Sequence, residues 1–381
     1  MVTPSMSDFE EEEEKIGTSE EELQEYLDKL KVKIRVFGAG GAGSNTINRL
    51  MKEGVVGVTL IACNTDAAHL LKIKANHKVL LGKNLTRGLG SGADPKVGEQ
   101  AAKESDQEIV KYTSGVDIAF VAAGLGGGTG TGSAYYIASR AKEGGSLTIS
   151  VVSMPFTSEG SVRLKNAMWG LRKLIRASDC VILIPNDKLV ELVPDMPMEK
   201  AFRFADEVMV RAITGISDLI TKPGLINLDF NDLRTVMKDT GLAMIGMGQG
   251  MGEPGTRVSD AVQKALASPF LQLDMSKASG VIVNVIGGKD LQLEETSNAS
   301  DMIRKRVGKN TRIIWGTTVD NRVESGTVQV LVVATGLTTS VYPEMAGEVE
   351  SDHGMDMISC PFSTLTIENI FILTAISLLG V

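Results

Sequence analysis

The chain has 381 residues, 43% hydrophobic and 23% charged, enough for two domains and a full-sized core. Its net charge of −8 is uneven: Asp8, Glu10–Glu14, Glu20–Glu22, Glu25 and Asp28 face only Lys15 and Lys29, and the remainder is near neutral. That excludes a basic footprint for nucleic acid, and the scattered Cys63, Cys180 and Cys360 exclude a disulfide framework or a Cys-x-x-Cys site.

The acidic run Glu10–Glu14 reads as a solvated arm, and Glu20–Leu30 as a short helix. An acidic start without an apolar segment does not read as a secretion signal, and the three histidines show no metal-ligand spacing. Five apolar, β-branched runs follow: Ile34–Phe37, Val58–Cys63, Ile118–Ala122, Thr148–Val152 and Val181–Ile184. They alternate with helical patterns, which predicts a parallel, doubly wound sheet. Each run ends in a loop of unusual composition: Gly38–Gly43, Asn64–Asp66, Gly124–Gly132, Pro155–Glu159 and Pro185–Lys188. Open α/β sheets bind ligands at the carboxyl ends of their strands, so these loops are expected on one edge. Another glycine-rich loop, Gly88–Pro95, lies between the second and third runs.

Met198–Ile220 predicts a long helix, with Phe202, Ala205, Val208, Met209, Ala212, Ile213 and Ile216 at helical spacing and Pro223-Gly224 as its stop. A second α+β region runs to about Leu337, with strand-like runs Gly280–Ile286, Arg312–Trp315 and Thr327–Ala334. The tail changes character from Thr338. Its apolar run Ile370–Val381 is shorter than the ~20 residues a membrane span needs. It reads as a docked strand or helix, or as a partner- or membrane-surface element.

The most informative segment is Gly126-Gly-Gly-Thr-Gly-Thr-Gly132, between the third run and a helical pattern over Ser133–Lys142. Glycines let consecutive N–H groups converge, threonine hydroxyls add donors, and the following helix offers its positive end. Neither Gly127 nor Gly128 is expected to tolerate a side chain against a phosphate, although both substitutions should leave the fold largely intact. A Walker loop is absent, because Gly82-Lys83-Asn84 lacks the hydroxyl. Gly38-Ala-Gly-Gly-Ala-Gly43 alone also fits a dinucleotide fingerprint, with Asp66 near the ribose position. An NAD-dependent oxidoreductase is therefore a rival, although no catalytic His or Tyr-Lys set accompanies it.

The heptad is the signature of the tubulin/FtsZ family of GTPases, and the chain resembles its FtsZ branch from about Lys33 to Leu337. The resemblance implies an α/β fold: a doubly wound parallel-sheet GTPase domain (residues 32–197) and a smaller α+β domain (222–340), joined by a long central helix (198–221). An acidic arm (1–31) and a variable tail (341–381) flank them. It implies GTP and GDP as ligands, with Mg²⁺. Gly40, Gly41 and Gly43 match the first phosphate loop, and Asn45 matches a guanine-contacting asparagine. Gly90, Ser91, Gly92 and Ala93 match the segment that senses the γ-phosphate. Gly126, Gly127, Gly128, Thr129, Gly130, Thr131 and Gly132 match the wrap around the phosphates, with Thr129 as the best hydroxyl donor. Pro155-Phe-Thr-Ser-Glu-Gly-Ser-Val-Arg163 matches Pro-Phe-x-x-Glu-Gly-x-x-Arg. There Glu159 would take ribose hydroxyls and Arg163 would lie on the sugar–phosphate side. Read without the family, Glu159 and Arg163 are an ordinary i,i+4 pair. Asn186 matches a further polar contact, Phe202 a base-stacking aromatic, and Asp206 the acceptor of guanine N1–H and 2-amino donors.

Leu225–Met237 resembles the family loop Asn-x-Asp-Phe-x-Asp, which assigns Asn227, Asp229 and Asp232 to activation of the hydrolytic water. Read without the family, the two aspartates are helix-capping acids. About 30 Å of helix separates the base contacts from these acids. A water-orienting group must be within hydrogen-bond reach, so the acids would serve the nucleotide of a neighbouring subunit. Such head-to-tail contacts build an open filament. The resemblance implies a cytoplasmic self-polymerising cell-division GTPase at the inner face of the membrane, with a membrane adaptor as second partner. A tubulin-like cytoskeletal protein with slow turnover is the other rival. Two features depart from the family pattern: Ala68 replaces a usual glutamine, and the tail lacks a recognisable partner-binding peptide.

Overall fold

This computed structural model describes residues 31–192, 197–222, 228–271 and 275–337. The acidic arm with its expected helix, Asn227 and the tail from residue 338 lie outside the described residues.

Six strands lie parallel in the order β3-β2-β1-β4-β5-β6. They are β1 (Ile34–Ala39), β2 (Val58–Asn64), β3 (His77–Leu80), β4 (Ile118–Gly124), β5 (Leu147–Met154) and β6 (Cys180–Pro185). Between and after them run α1 (Gly40–Glu53), α2 (Ala67–Lys72), α3 (Pro95–Glu104), α4 (Asp106–Thr113), α5 (Thr129–Glu143), α6 (Ser161–Ala177) and α7 (Asp187–Leu192). The strands are apolar on both faces because helices cover both. Val36, Leu60, Phe120, Val151 and Ile182 pack with Ile47 and Leu50 of α1. Phe37, Ile61, Val121, Val152 and Leu183 pack with Ile137 of α5 and Leu171 of α6. Registers place Val79, Cys63, Ala39, Ala123, Val152 and Leu183 in one row across the sheet. The loops beyond that row therefore share one edge, as expected. Of these six, only β3 was absent from the predicted strands; it is a four-residue edge strand in which Val79 alone is buried.

The second half comprises α8 (Met198–Thr221), α9 (Phe230–Met237), β7 (Gly241–Met251), α10 (Thr256–Leu266), β8 (Gly280–Gly287), α11 (Leu293–Arg304), β9 (Arg312–Val319) and β10 (Thr327–Leu337). Its sheet is not separate. β7 pairs parallel with β6 over Cys180–Ile182, and the order continues β7-β10-β8-β9. Asp179 ties the junction: its main-chain oxygen accepts from Thr240 N and Gly241 N at 2.9 and 3.1 Å. Its carboxylate accepts from Thr148 N at 2.8 Å and pairs with Lys142 at 3.2 Å.

Helix α8 is apolar on more than one side. Val208, Met209, Ala212, Ile213 and Ile216 are buried in a cluster that also holds Ile182 from β6 and Ile282, Leu331 and Val333 from the second half. Beyond it, Arg257 on α10, 1% exposed, donates to both oxygens of Glu295, 2% exposed, at 2.8 and 2.7 Å. Glu295 also accepts from Gly255 N and Gln292 N, so its charge is fully used. Among the described residues no helix is long and apolar enough to cross a membrane.

Candidate nucleotide-binding site

Two helix N-termini meet at the strand-end edge. Gly40, the first residue of α1, has φ +71°, and a Cβ there would lie 2.5 Å from Gly130 N in the first turn of α5. Neither first turn carries an acidic side chain, so both positive ends are left for an anion. The heptad was expected to be a loop ahead of a helix from Ser133, but Thr129–Gly132 already form the first turn of α5. The glycines of this heptad and of Gly38–Gly43 divide by role. Gly132 lies against the α3 backbone, and Gly43 against the Ala122 carbonyl. A Cβ on Gly128 would meet Asp94 N at 2.7 Å, so this glycine permits chain packing. The expectation that a Gly128 side chain would spare the fold is corrected on that ground. Gly41 and Gly127 have nothing within 4 Å of a built Cβ, which leaves their backbone open to a ligand.

Hydroxyls knit the loops around this cradle. Thr129 Oγ1 lies 2.6 Å from Thr65 Oγ1 and 3.0 Å from Ser91 Oγ. Thr129, the expected hydroxyl donor, is thus also linked within the protein. Thr131 Oγ1 accepts from Gly126 N at 2.9 Å and closes the heptad loop. Gly90, Gly92 and Ala93 all have positive φ, and Ala93 at +62° holds a conformation unusual for a residue with a side chain. Such an outlier belongs where backbone N–H direction matters. Asn166 of α6, which sequence reasoning missed, donates to Ala93 O and Gly126 O at 3.2 and 3.3 Å and bridges the two loops. An asparagine inside a helical pattern gives no signal of that role.

The base side is assembled from three elements. Arg49 on α1 donates to Arg203 O at 2.7 Å and Glu207 at 2.6 Å on α8, flanking Asp206. Phe202, alone of the predicted apolar set on α8, is exposed at 40%, and it stands edge-on to Phe156 with centroids 5.2 Å apart. That exposure leaves the ring accessible for stacking. The Asp206 carboxylate has no hydrogen-bond partner among the described residues. Burial pushes its carboxyl up to about 6, with Arg49 pulling the other way. Asn186 is buried at 4% with its Oδ1 unpartnered among the described residues. Asn45 is exposed on α1, and its Oδ1 is 3.2 Å from His69 Nε2. Glu159 accepts from Phe156 N at 2.9 Å and pairs with Arg163, which is the plain i,i+4 arrangement. Asp66 caps α2 by accepting from His69 N at 2.9 Å, so the acid required by the dinucleotide rival is already engaged.

The structure does not bring the acids to this site. Asp229 caps α9, accepting from Asn231 N at 3.3 Å, and Asp232 is exposed in its first turn. Both lie past the far end of α8.

A family model for the tubulin/FtsZ GTPase domain matches residues 33–194, and one for the FtsZ C-terminal domain matches residues 241–338. The chain belongs to the FtsZ branch of the tubulin/FtsZ family of GTPases. It is 52% identical over 320 residues to cell division protein FtsZ 1 of Pyrococcus abyssi, covering 84% of this chain and 85% of that one. With the Methanocaldococcus jannaschii protein of the same name it shares 49% over 326 residues, 86% and 89% of the two chains. An empty FtsZ dimer from M. jannaschii superposes with a TM-score of 0.81 at 47% identity, covering 89% of this chain and 98% of that chain. A GTPγS-bound protofilament of CetZ2 from Haloferax volcanii superposes at 0.70 and 21% identity, covering 83% and 97%, and shares the fold.

Proposed function

We propose that this chain is the subunit of a GTP-dependent cell-division polymer, and that Asp229 and Asp232, with Asn227, complete the hydrolytic site on the next subunit's GTP. The observation that carries this is the length of α8. Its 24 residues extend for about 36 Å, with Phe202 and Asp206 near one end and the acids past the other. A water activated by Asp229 cannot reach a phosphate on the same chain, whereas head-to-tail stacking brings the two together. In support, curated relatives near 50% identity are named cell division proteins.

GTP would lie with its phosphates over Gly40, Gly41, Gly43 and the heptad, its ribose near Glu159 and Arg163, and its base on Phe202 against Asp206 and Asn186. Residues 32–197 would form the GTP-binding unit and 222–340 the unit that presents the acids. Mg²⁺ would enter on the triphosphate and neutralise phosphate charge there; among the described residues there is no group of three or more His, Cys, Asp or Glu that could hold a metal. A membrane adaptor is the proposed second partner, at the cytoplasmic face of the division site.

The test mixes two inactive variants. Asp229→Ala binds GTP but lacks the acid, and Gly127→Val lacks bound GTP but keeps the acid. Mixed, they should recover part of the GTPase activity. Hydrolysis at a constant rate per molecule in dilute, demonstrably monomeric protein would place the whole site in one chain and sink the proposal.

A further inference from the structure

The hydroxyl of Thr65 has no solvent exposure and cannot itself touch a ligand. It nevertheless sits where both phosphate-facing loops are fixed. Thr65 follows β2, and its main-chain oxygen accepts from Gly90 N at 3.2 Å. Thr86 Oγ1 lies 3.4 Å from the same oxygen and 3.0 Å from Gly82 O. Its side chain meets Thr129 Oγ1, which in turn meets Ser91 Oγ. All four of these hydroxyl residues are buried.

Proton counting gives this chain a direction. A hydroxyl donates once and accepts up to twice. Thr129 is the middle member, and it opens α5 at the cradle. If Thr129 spends its proton on Thr65 or Ser91, none is left for a phosphate. If Thr65 and Ser91 both donate to Thr129, its own proton is free to point outward. An anionic oxygen is the stronger acceptor and favours the second arrangement, and hydrogen bonds in series polarise one another.

Across the sheet edge the order of site segments is Thr65 after β2, Gly40 after β1, Gly126 after β4, Phe156 after β5 and Asn186 after β6. Phe156 and Phe202 mark the base end. The Thr65–Thr129–Ser91 chain lies on the opposite side, where the phosphate farthest from the base would fall.

We propose that Thr65 is a positioning residue for the terminal phosphate: its hydroxyl donates to Thr129 and so aims the Thr129 proton at GTP, setting the preference for GTP over GDP. This rests on the reading of the heptad and residues 88–94 as the phosphate cradle. Thr65→Val removes the donor with little change of shape, and Thr129 keeps Ser91 as a partner, so no buried group is orphaned.

The experiment titrates monomeric full-length protein with GDP and with a slowly hydrolysed GTP analogue. Thr65→Val should weaken the GTP analogue by about tenfold relative to GDP, the scale of one charge-assisted hydrogen bond. Thr65→Ser, which keeps the hydroxyl, should restore the ratio. Thr65→Ala is measured beside Val, so that a β-branched side chain failing to pack cannot decide the outcome. An unchanged ratio in both, or equal weakening of both nucleotides, overturns the proposal. Gly127→Val separates the two levels. If it abolishes binding while the Thr65 variants keep the unsubstituted ratio, the cradle stands and only the role of Thr65 fails. If it binds both nucleotides normally, the cradle reading fails and this proposal with it.

Discussion

The first residue of α1 and the second of α5 touch backbone to backbone: a Cβ on Gly40 would lie 2.5 Å from Gly130 N. Two helix ends of like sign are thereby pressed together, an arrangement that an anion between them would relieve. The contact separates glycines that serve the fold from glycines that serve the ligand.

Gly40→Ala should destabilise the protein by ~2 kcal/mol or more, because its φ of +71° and the Gly130 backbone both oppose a side chain. Gly41→Ala meets nothing within 4 Å and gains up to ~1 kcal/mol of helix propensity. It should keep or raise the melting temperature while weakening GTP. Calorimetry paired with nucleotide titration reads both. A Gly41→Ala protein with lowered stability would contradict this division of roles.

Asp206→Asn should lose preference for GTP over ATP, at a cost of a few kcal/mol at most, since an ionised carboxylate accepts two guanine donors and an amide accepts only one of them well. Binding of GTP to the unsubstituted protein should fall as pH drops through about 6, where Asp206 takes its proton. Equal affinity for ATP and GTP at neutral pH would remove Asp206 from base recognition.

The same carboxyl has an opposite effect on the nucleotide-free protein. Its folded value of about 6 lies above its ordinary 3.8, so the folded state holds the proton more tightly between those values. The contribution is fully present below pH 3.8 and is lost as pH rises through 6. Asp206→Asn should therefore stabilise the nucleotide-free protein at pH 7 by ~1–2 kcal/mol, allowing for the solvent that reaches this group. Urea midpoints at pH 5 and pH 7 measure it, and a gain that does not grow with pH would assign the effect elsewhere.

Asp229 has two roles that substitution can separate. It caps α9, so Asp229→Ala should cost ~1 kcal/mol of stability besides GTPase activity. Asparagine caps about as well as aspartate. Asp229→Asn should thus keep wild-type stability and GTP affinity, hydrolyse poorly, and form long-lived filaments by light scattering. Wild-type turnover in Asp229→Asn would leave capping as its only role.

Arg257→Met should be costly, ~3 kcal/mol or more, because it leaves the Glu295 carboxylate buried beside an apolar chain. The loss belongs to the second half of the sheet, so GTP affinity of the folded fraction should not change. A urea midpoint close to that of the unsubstituted protein would mean that Glu295 finds water or a proton at no cost.

Much of this arrangement was legible because the parallel strands are continuous β-branched runs and each ends in a distinctive loop. Strand β7 was not. Its Gly246, Gly248 and Gly250 alternate through a run that reads as broken, and the reason lies across the interface. Each faces a main-chain carbonyl of α10, those of Ala265, Ala261 and Arg257, too close for any Cβ. A glycine stripe that lets a helix lie flush on a strand cannot be told from a loop by local pattern alone. For the same reason Gly128 and Gly132 read as ligand glycines, although α3 and its preceding loop require them. Phe202 shows the converse: helical spacing placed it among core residues, and only its position at the open end of α8 leaves it exposed. Asn166 had no signal, because its partners are carbonyls in loops far along the chain.

Because α8 is walled in by both halves, neither can be cut away whole. A polypeptide ending at residue 192 would leave Val36, Phe120 and Ile182 facing water, and one beginning at Gly241 would do the same to Ile282, Leu331 and Val333. The seam at Asp179 adds to this, since the ladder that starts there pairs β6 directly with β7. Protease digestion should therefore yield either the whole body or small fragments.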